Sequence, residues 1–400
     1  MSEKVYWVWL QQALGISTSL KSDEIVTYFG TAKKLYFAGE FEWRISGILS
    51  PKQIEKLGKN DLTAAQKIVD QCSEKGWKIV TPDDADYPSM LFKLPNFPLV
   101  LYANGDLDCL KNKISVAMVG TRKPCRNSAC IARALAASIT RSGALVVSGG
   151  ALGIDSAAHM GALDAGGKTV AVLGTGFNNS YPAANAALRN DISKNGVLLT
   201  EFPPDAYGSA ANFPIRNRII SGLCYGTVVI EAGERSGSLI TANHALEQGR
   251  DVYAVPGDLM SSGFTGANKL IHDGAKPVFN AMDVLEEYAM RYPEYLDIEK
   301  VEKTLTMKTY SDPPSREKTD DNPQRQEKGE VKFIKFPEPP LLTEDARKIY
   351  RAFDAPEMQA DELILKTGLS AGSFSSAMTE LELFDLVELQ AGKLYKLKLG

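Results

Sequence analysis

The sequence predicts an α/β protein whose body is an extended, doubly wound Rossmann-like sheet, preceded by a small helical region and followed by a compact segment of about sixty residues. Two observations carry the central part. Short apolar runs without polar alternation recur between residues 79 and 255, as strands buried on both faces require. Segments with helical apolar spacing lie between them, the alternation that builds a parallel sheet. A third observation divides the chain. The run 307–340, MKTYSDPPSREKTDDNPQRQEKGEVKFIKFPEPP, is rich in proline and charge and too poor in aliphatics to fold alone. The resulting domains are 1–78, 79–292, a flexible linker over 293–340 and 341–400.

In the amino-terminal region, Val5 to Leu14, Glu24 to Phe29, Ala32 to Phe37 and Ala64 to Cys72 have apolar spacing that suits short helices, punctuated by Gly30, Gly39, Gly47 and Gly58. Such an array is similar to helix-hairpin-helix or sterile-alpha-motif modules. Its basic residues are interspersed with acids, which favours packing over binding of a nucleic-acid backbone.

The strands of the body are Ile79-Val80, Ser115 to Val119, Ala144 to Val147, Thr169 to Leu173, Val197 to Thr200, Thr227 to Ile230 and Val252 to Val255. Helices are predicted over Ala129 to Thr140, Ser156 to Ala165, Ala183 to Lys194 and Ser238 to Gln248, with Gly143, Gly166, Gly196 and Gly249 at their carboxyl caps. Ligands of such a sheet sit outside the carboxyl ends of the strands.

The turns at that edge share one chemistry. After Ser115 to Val119, Gly120 allows close backbone approach, Thr121 adds a hydroxyl, and Arg122 and Lys123 add charge ahead of a helix from about Asn127, whose positive dipole end favours an anion. From Cys109 to Ile154 there is no carboxylate, while Lys111, Lys113, Arg122, Lys123, Arg126, Arg133 and Arg141 all fall there. Ser148, Gly149 and Gly150 follow the next strand and leave amides open before a helix capped by Asp155 or Ser156. Arg235, Ser236, Gly237 and Ser238 open another helix. Between them, NFPIRNRI at 212–219 groups Arg216, Asn217 and Arg218 with Phe213, a ring beside cations that suits base stacking above held phosphates. Together these turns point to a polyanionic ligand. An ordinary solvated basic rim is the bland alternative for the first turn, a conventional dinucleotide could use the same edge, and Phe213 is equally suited to a core or rim position.

Several classes are disfavoured. No G-x-G-x-x-G closes the first strand, and no acid stands at the distance a dinucleotide ribose needs. No activated nucleophile or carboxylate pair emerges, so no catalytic residue is assigned; Asp155 suits a cap and His159 suits packing. Five cysteines without C-x-x-C and three histidines without zinc spacing give reduced thiols, no metal and no cofactor. A formal net charge of -4 means a nucleic acid would be held by a local patch rather than by global attraction. The amino terminus lacks the pattern of a signal peptide and no apolar run reaches membrane-spanning length, so a cytoplasmic protein with no membrane partner is expected.

The series VAMVGTRKP, SGGALGIDSAAH, GGKTVAVLGTGFNNSYP, FPIRNRIISGL, EAGERSGSLITANHALEQGRDVYAVPGD and GANKLIHDGAKPV resembles the DNA-processing protein A family, DprA or Smf, in order and spacing from about Asp83 to Tyr288. The resemblance implies a Rossmann-like protein that binds single-stranded DNA as a homodimer, protects incoming strands during natural transformation and helps load the RecA recombinase. It carries DNA contact onto Gly120, Thr121 and Arg122, onto Arg216, Asn217 and Arg218, and onto Ser236, Gly237 and Ser238. Lys168 in GGKT matches a further basic position, although it opens its strand and should point away from the carboxyl edge. Leu152 stands where many relatives have a basic residue.

The last segment resembles the small winged-helix domain of many members. Helices over Thr343 to Phe353 and Ala360 to Thr367 are followed by a cap at Gly368, a recognition-like helix, a strand, and a wing turned by Gly392 into Leu394 to Leu397. The recognition-like helix is poor in Lys and Arg and bears Glu380 and Glu382, which favours a protein contact or auxiliary role over duplex reading. One enzyme reading stays beside the binding module. A Rossmann-like nucleotide phosphoribohydrolase shares the first turn but needs PGG-x-GT-x-x-E where this chain has EAGERSGSL.

Overall fold

Apolar residues on every side of the first helix decide how the chain begins. Helix α1 (Glu3–Leu14) is capped by the Ser2 hydroxyl and buries Val5 to Gln11 almost without a break. A helix apolar all round must be enclosed. It is enclosed by α2 (Ser22–Phe29), α3 (Ala32–Ile45), α4 (Pro51–Lys59) and α5 (Leu62–Glu74), and by the sheet beyond them. Gln11 Nε2 donates to the carbonyls of Val100, at 3.3 Å, and Glu201, at 2.9 Å, while the Tyr102 hydroxyl donates to Gln11 Oε1. The helical region therefore shares its core with the sheet. Helix α4, absent from the sequence expectation, contains Gly58, and α3 runs through a bend at Gly39.

The computed structural model describes residues 2–301, 342–354, 357–383, 386–390 and 394–397, which form two compact units, one on each side of 302–341. In the first unit the strands are β1 (Lys78–Val80), β2 (Leu101–Gly105), β3 (Ser115–Val119), β4 (Leu145–Ser148), β5 (Thr169–Leu173), β6 (Gly196–Thr200), β7 (Gly226–Val229), β8 (Asp251–Ala254) and β9 (Lys276–Pro277). Their order is β1-β2-β6-β5-β4-β3-β7-β8-β9, parallel from β6 to β9, with β1 and β2 antiparallel at one edge. The chain moves outward from β3 to β6 and then returns to β7 on the other side of β3. The crevice outside β3 and β7 is thus the topological switch point of the sheet.

Helices α6 (Arg126–Arg141), α7 (Ile154–Asp164), α8 (Ala186–Lys194), α9 (Asn212–Gly222), α10 (Gly237–Glu247), α11 (Thr265–His272) and α12 (Met282–Arg291) complete this unit. Two expectations are corrected here. Gly196 opens β6 instead of capping a helix, because a Cβ there would stand 2.1 Å from the Thr169 carbonyl on the neighbouring strand. Residues 293–301 are packed: Leu296 and Val301 are buried among the core side chains, and Asp297 N–H donates to Ser142 O at 2.8 Å. The rest of the predicted linker lies outside the described residues.

The second unit holds α13 (Glu344–Ala352), β10 (Glu357–Gln359), α14 (Ala360–Thr367), α15 (Ala371–Leu383), β11 (Val387–Gln390) and β12 (Leu394–Leu397), with β12 central in an antiparallel sheet. Gly368 ends α14 in the left-handed conformation, as expected. Glu380 of α15 accepts from the Thr343 amide, at 2.8 Å, and hydroxyl, at 2.6 Å. Its charge serves the start of α13. Gly392 lies outside the described residues.

Candidate nucleic-acid interface

A cleft of about 740 Å³ opens at the switch point, lined by the turn after β3, the first turns of α9 and α10, and Ala151, Asp155, Tyr181, Gly208 and Ala210. A second hollow of about 380 Å³ adjoins it across Thr121, Lys123 and Ser236 and reaches Arg235.

The turn after β3 is held from both sides. Thr121 N–H donates to Glu231 O at 2.8 Å, and Thr121 O accepts from Ile154 N–H at 3.2 Å. The Thr121 hydroxyl accepts from Lys123 N–H, so its amide and hydroxyl are both engaged. At Gly120 a Cβ would stand 2.6 Å from Ile154 Cγ1 and 3.0 Å from Glu231 O. Its glycine serves packing of β3 against α7 rather than approach of a ligand. Gly153, with φ +82°, begins α7 in place of the expected Asp155 or Ser156, and a Cβ on it would lie 2.4 Å from Thr121 O. With its base fixed, the turn projects Arg122 and Lys123 into solvent, where neither forms an ion pair among the described residues. The Arg122 guanidinium carbon lies 5.0 Å from the centroid of the Phe213 ring, a cation–π contact.

The segment carrying Phe213 is helical, and that separates its two arginines. Residues two apart on an α-helix point to opposite sides. Arg216 faces the cleft floor, 4 % exposed, and donates through Nη1 to the carbonyls of Gly149, at 2.7 Å, and Val172. Burial pulls its pKa down to about 10, opposed by the Asp155 carboxylate. Arg218 faces the core and donates to both carboxylate oxygens of Glu201, at 2.7 and 2.8 Å. It does not reach the cleft. Asn217 lines the cleft and donates to Gly237 O at 3.3 Å.

Across the cleft, Ser236 caps α10 by accepting from Ser238 N–H, and Gly237 next to it is exposed with nothing within 4 Å of where a Cβ would sit. The space beside this backbone is open, at the positive end of a helix dipole. Arg235 is exposed on the second hollow. Two other expected contacts lie elsewhere. Ser148 is buried and donates to Met118 O at 2.6 Å, which fastens β4 to β3. Lys168 pairs with Asp106 at 2.5 Å, at the amino end of β5 and so on the opposite edge of the sheet. Gly149 and Gly150 line a small hollow beside the cleft with Leu152 and Arg189, and Gly149 meets Arg216 and Asp155. Of the other cations in the carboxylate-free stretch, Lys111 pairs with Asp86 and Asp108, and Arg133 with Asp164.

Two acids approach the cleft, and both have structural partners. Asp155 Oδ2 accepts from Ala151 N–H at 3.2 Å, and desolvation raises its pKa against the pull of Arg216. Glu231 accepts from the Cys125 amide at 3.0 Å, at the start of α6. Tyr181, 47 % exposed, lines the cleft with its ring centroid 5.8 Å from that of Phe213, and the sequence reading assigned it no role. Its signal was an aromatic side chain before proline in the loop after a parallel strand. Among the described residues no group of three or more His, Cys, Asp or Glu could hold a metal, and no helix is long and apolar enough to cross a membrane.

A doubly wound sheet with exposed cations, an aromatic ring and a helix amino terminus around its switch point defines a Rossmann-like anion-binding protein. Comparison with known proteins gives the family. Residues 62–289 match the model of DNA recombination-mediator protein A, and residues 335–393 match the DprA winged helix domain. The chain is 31 % identical to protein Smf of Synechocystis over 99 % of both chains. It is 40 % identical to DNA processing protein DprA of Bacillus subtilis over 224 residues, 56 % of this chain and 75 % of that protein. The X-ray structure of DNA processing protein A from Streptococcus pneumoniae superposes with a TM-score of 0.63 at 34 % identity, covering 72 % of this chain and 98 % of that one. The chain belongs to the DprA/Smf family.

Proposed function

We propose that the protein binds single-stranded DNA along the cleft at the switch point, acting in the cytoplasm as a homodimer that protects the strand and helps load RecA. The observation that carries this reading is the placement of Arg122, exposed, without an ion pair among the described residues and seated on Phe213, in a cleft that the open backbone of Gly237 also lines. Cations for phosphates and rings for bases are what sequence-tolerant binding of a single strand needs. On this reading Arg122, Lys123 and Arg235 hold phosphates, while Arg216 and Asn217 form the floor.

We read the protein as a mediator rather than an enzyme, because Asp155 and Glu231 each hold a backbone amide that shapes the site. The test has two arms. Adding the protein to single strands coated with single-strand-binding protein should speed assembly of filaments by a cognate RecA, and failure to do so overturns the loading role. Incubation with nucleoside monophosphates should release no free base. Release that Glu231→Gln abolishes would put the phosphoribohydrolase reading ahead.

A further inference from the structure

Phe213 is the ring a sequence reader would choose as the stacking platform, yet its surroundings are already filled. Arg122 lies over it at 5.0 Å, Arg216 stands 5.9 Å from its centroid, and Tyr181 stands 5.8 Å away at 48°. At Gly174 a Cβ would come within 2.8 Å of the ring edge. Tyr181 is the more open ring, 47 % exposed and bordering both the cleft and the small hollow beside it.

The loop that carries Tyr181 is held at several points. Its amide donates to Asn179 Oδ1 at 2.9 Å, and Arg189 donates to Asn179 O at 3.0 Å. Asn178 donates to Asp205 at 2.6 Å, and Phe177 packs edge-on against Trp77 with centroids 5.1 Å apart. A half-exposed aromatic ring on an anchored loop loses little freedom when a base settles on it, and base–aromatic stacking accepts any base.

We infer that Tyr181 stacks on a base of the bound strand, with Phe213 acting chiefly as the support that orders Arg122 and Tyr181 together. The inference rests on the reading that this cleft binds single-stranded DNA. Stacking adds affinity that depends on the bases and not on the number of phosphates neutralised.

The experiment compares the full-length protein with Tyr181→Ala and Tyr181→Phe on a thymidine oligonucleotide and on an abasic strand of the same length, over a salt series. Tyr181→Ala should weaken binding to the thymidine strand by about 5- to 150-fold, the range for loss of one stacked base. The slope of log affinity against log salt should not change, and Tyr181→Phe should retain affinity. On the abasic strand the wild type and Tyr181→Ala should bind equally. Equal binding of Tyr181→Ala and wild type to the thymidine strand, or an equal loss on both strands, would overturn the inference while leaving the cleft as the DNA site. A wild-type protein that binds neither strand would overturn the underlying reading instead.

Discussion

Arg122 and Arg218 meet opposite fates, one exposed on the cleft and one paired in the core, and their difference is testable. Arg122→Ala should weaken single-strand binding roughly tenfold, as loss of a charge-assisted contact does, with the melting temperature nearly unchanged. Arg218→Ala should do the reverse. It strands Glu201 in the core, so about 3–5 kcal/mol of stability should disappear in urea titrations while affinity per folded molecule persists. The fate of Arg218 illustrates a limit of sequence reading: the RNR run displayed its charges but was grouped with the turns of the carboxyl edge, whereas the segment is helical with Pro214 in its first turn. Proline is tolerated in the first turn of a helix, where its missing N–H has no partner to lose. Once α9 exists, Arg216 and Arg218 cannot share a face.

His159 gives a pH dependence. Its Nδ1 lies 2.8 Å from the Thr169 hydroxyl, which itself donates to Val146 O, so Nδ1 carries the proton and the buried Nε2 is bare. Protonating Nε2 would bury an unpartnered charge, and burial holds its pKa down to about 3. The unfolded chain takes up that proton near pH 6.5 and the folded chain does not, so stability present above pH 6.5 is lost as pH falls towards 3. Between pH 7 and 5 the wild type should lose about 2 kcal/mol more than His159→Asn in denaturant unfolding. Parallel losses in the two proteins would refute the assignment.

At the scale of elements, the parallel strands β3 to β8 were legible because their residues are almost all buried, leaving apolar runs such as SVAMV and TVAVL, whereas the half-buried two-residue β9 left no such run. Strand β2 was not, since its pairing with β6 is antiparallel and long-range. The site was legible as a set of turns, and the strand order that brings β3 beside β7 supplies what the turns could not. The amino-terminal helices were expected to pack, and beside α5 two contacts reach the loop that carries Tyr181: Trp77, just after the helix, packs on Phe177, and Gln71 donates to Asp205, the acceptor of Asn178. Trp77→Ala should therefore raise the dissociation constant for single strands by loosening the loop that presents Tyr181, whereas Trp77→Phe should restore it. Unchanged affinity in Trp77→Ala would reduce these helices to packing alone.

At the scale of the molecule, the lining of the cleft comes wholly from residues 119–241. A chain ending near Lys308 should stay folded and keep most single-strand affinity, measured by anisotropy. If removal of 341–400 abolished binding, the winged-helix unit would be the main DNA reader. Glu380, drawn onto the start of α13, is engaged within that unit and not a free acidic group of the recognition-like helix.

The central claim is that single strands occupy the switch-point cleft through several phosphates and stacked bases. Anisotropy of single-stranded and blunt duplex oligonucleotides over a salt series tests it most directly. Preference for the single strand is predicted, with log affinity falling against log salt at a slope of about -0.7 per phosphate neutralised, and falling less steeply in Arg122→Ala. Equal affinity for blunt duplex, or binding indifferent to salt, would contradict it.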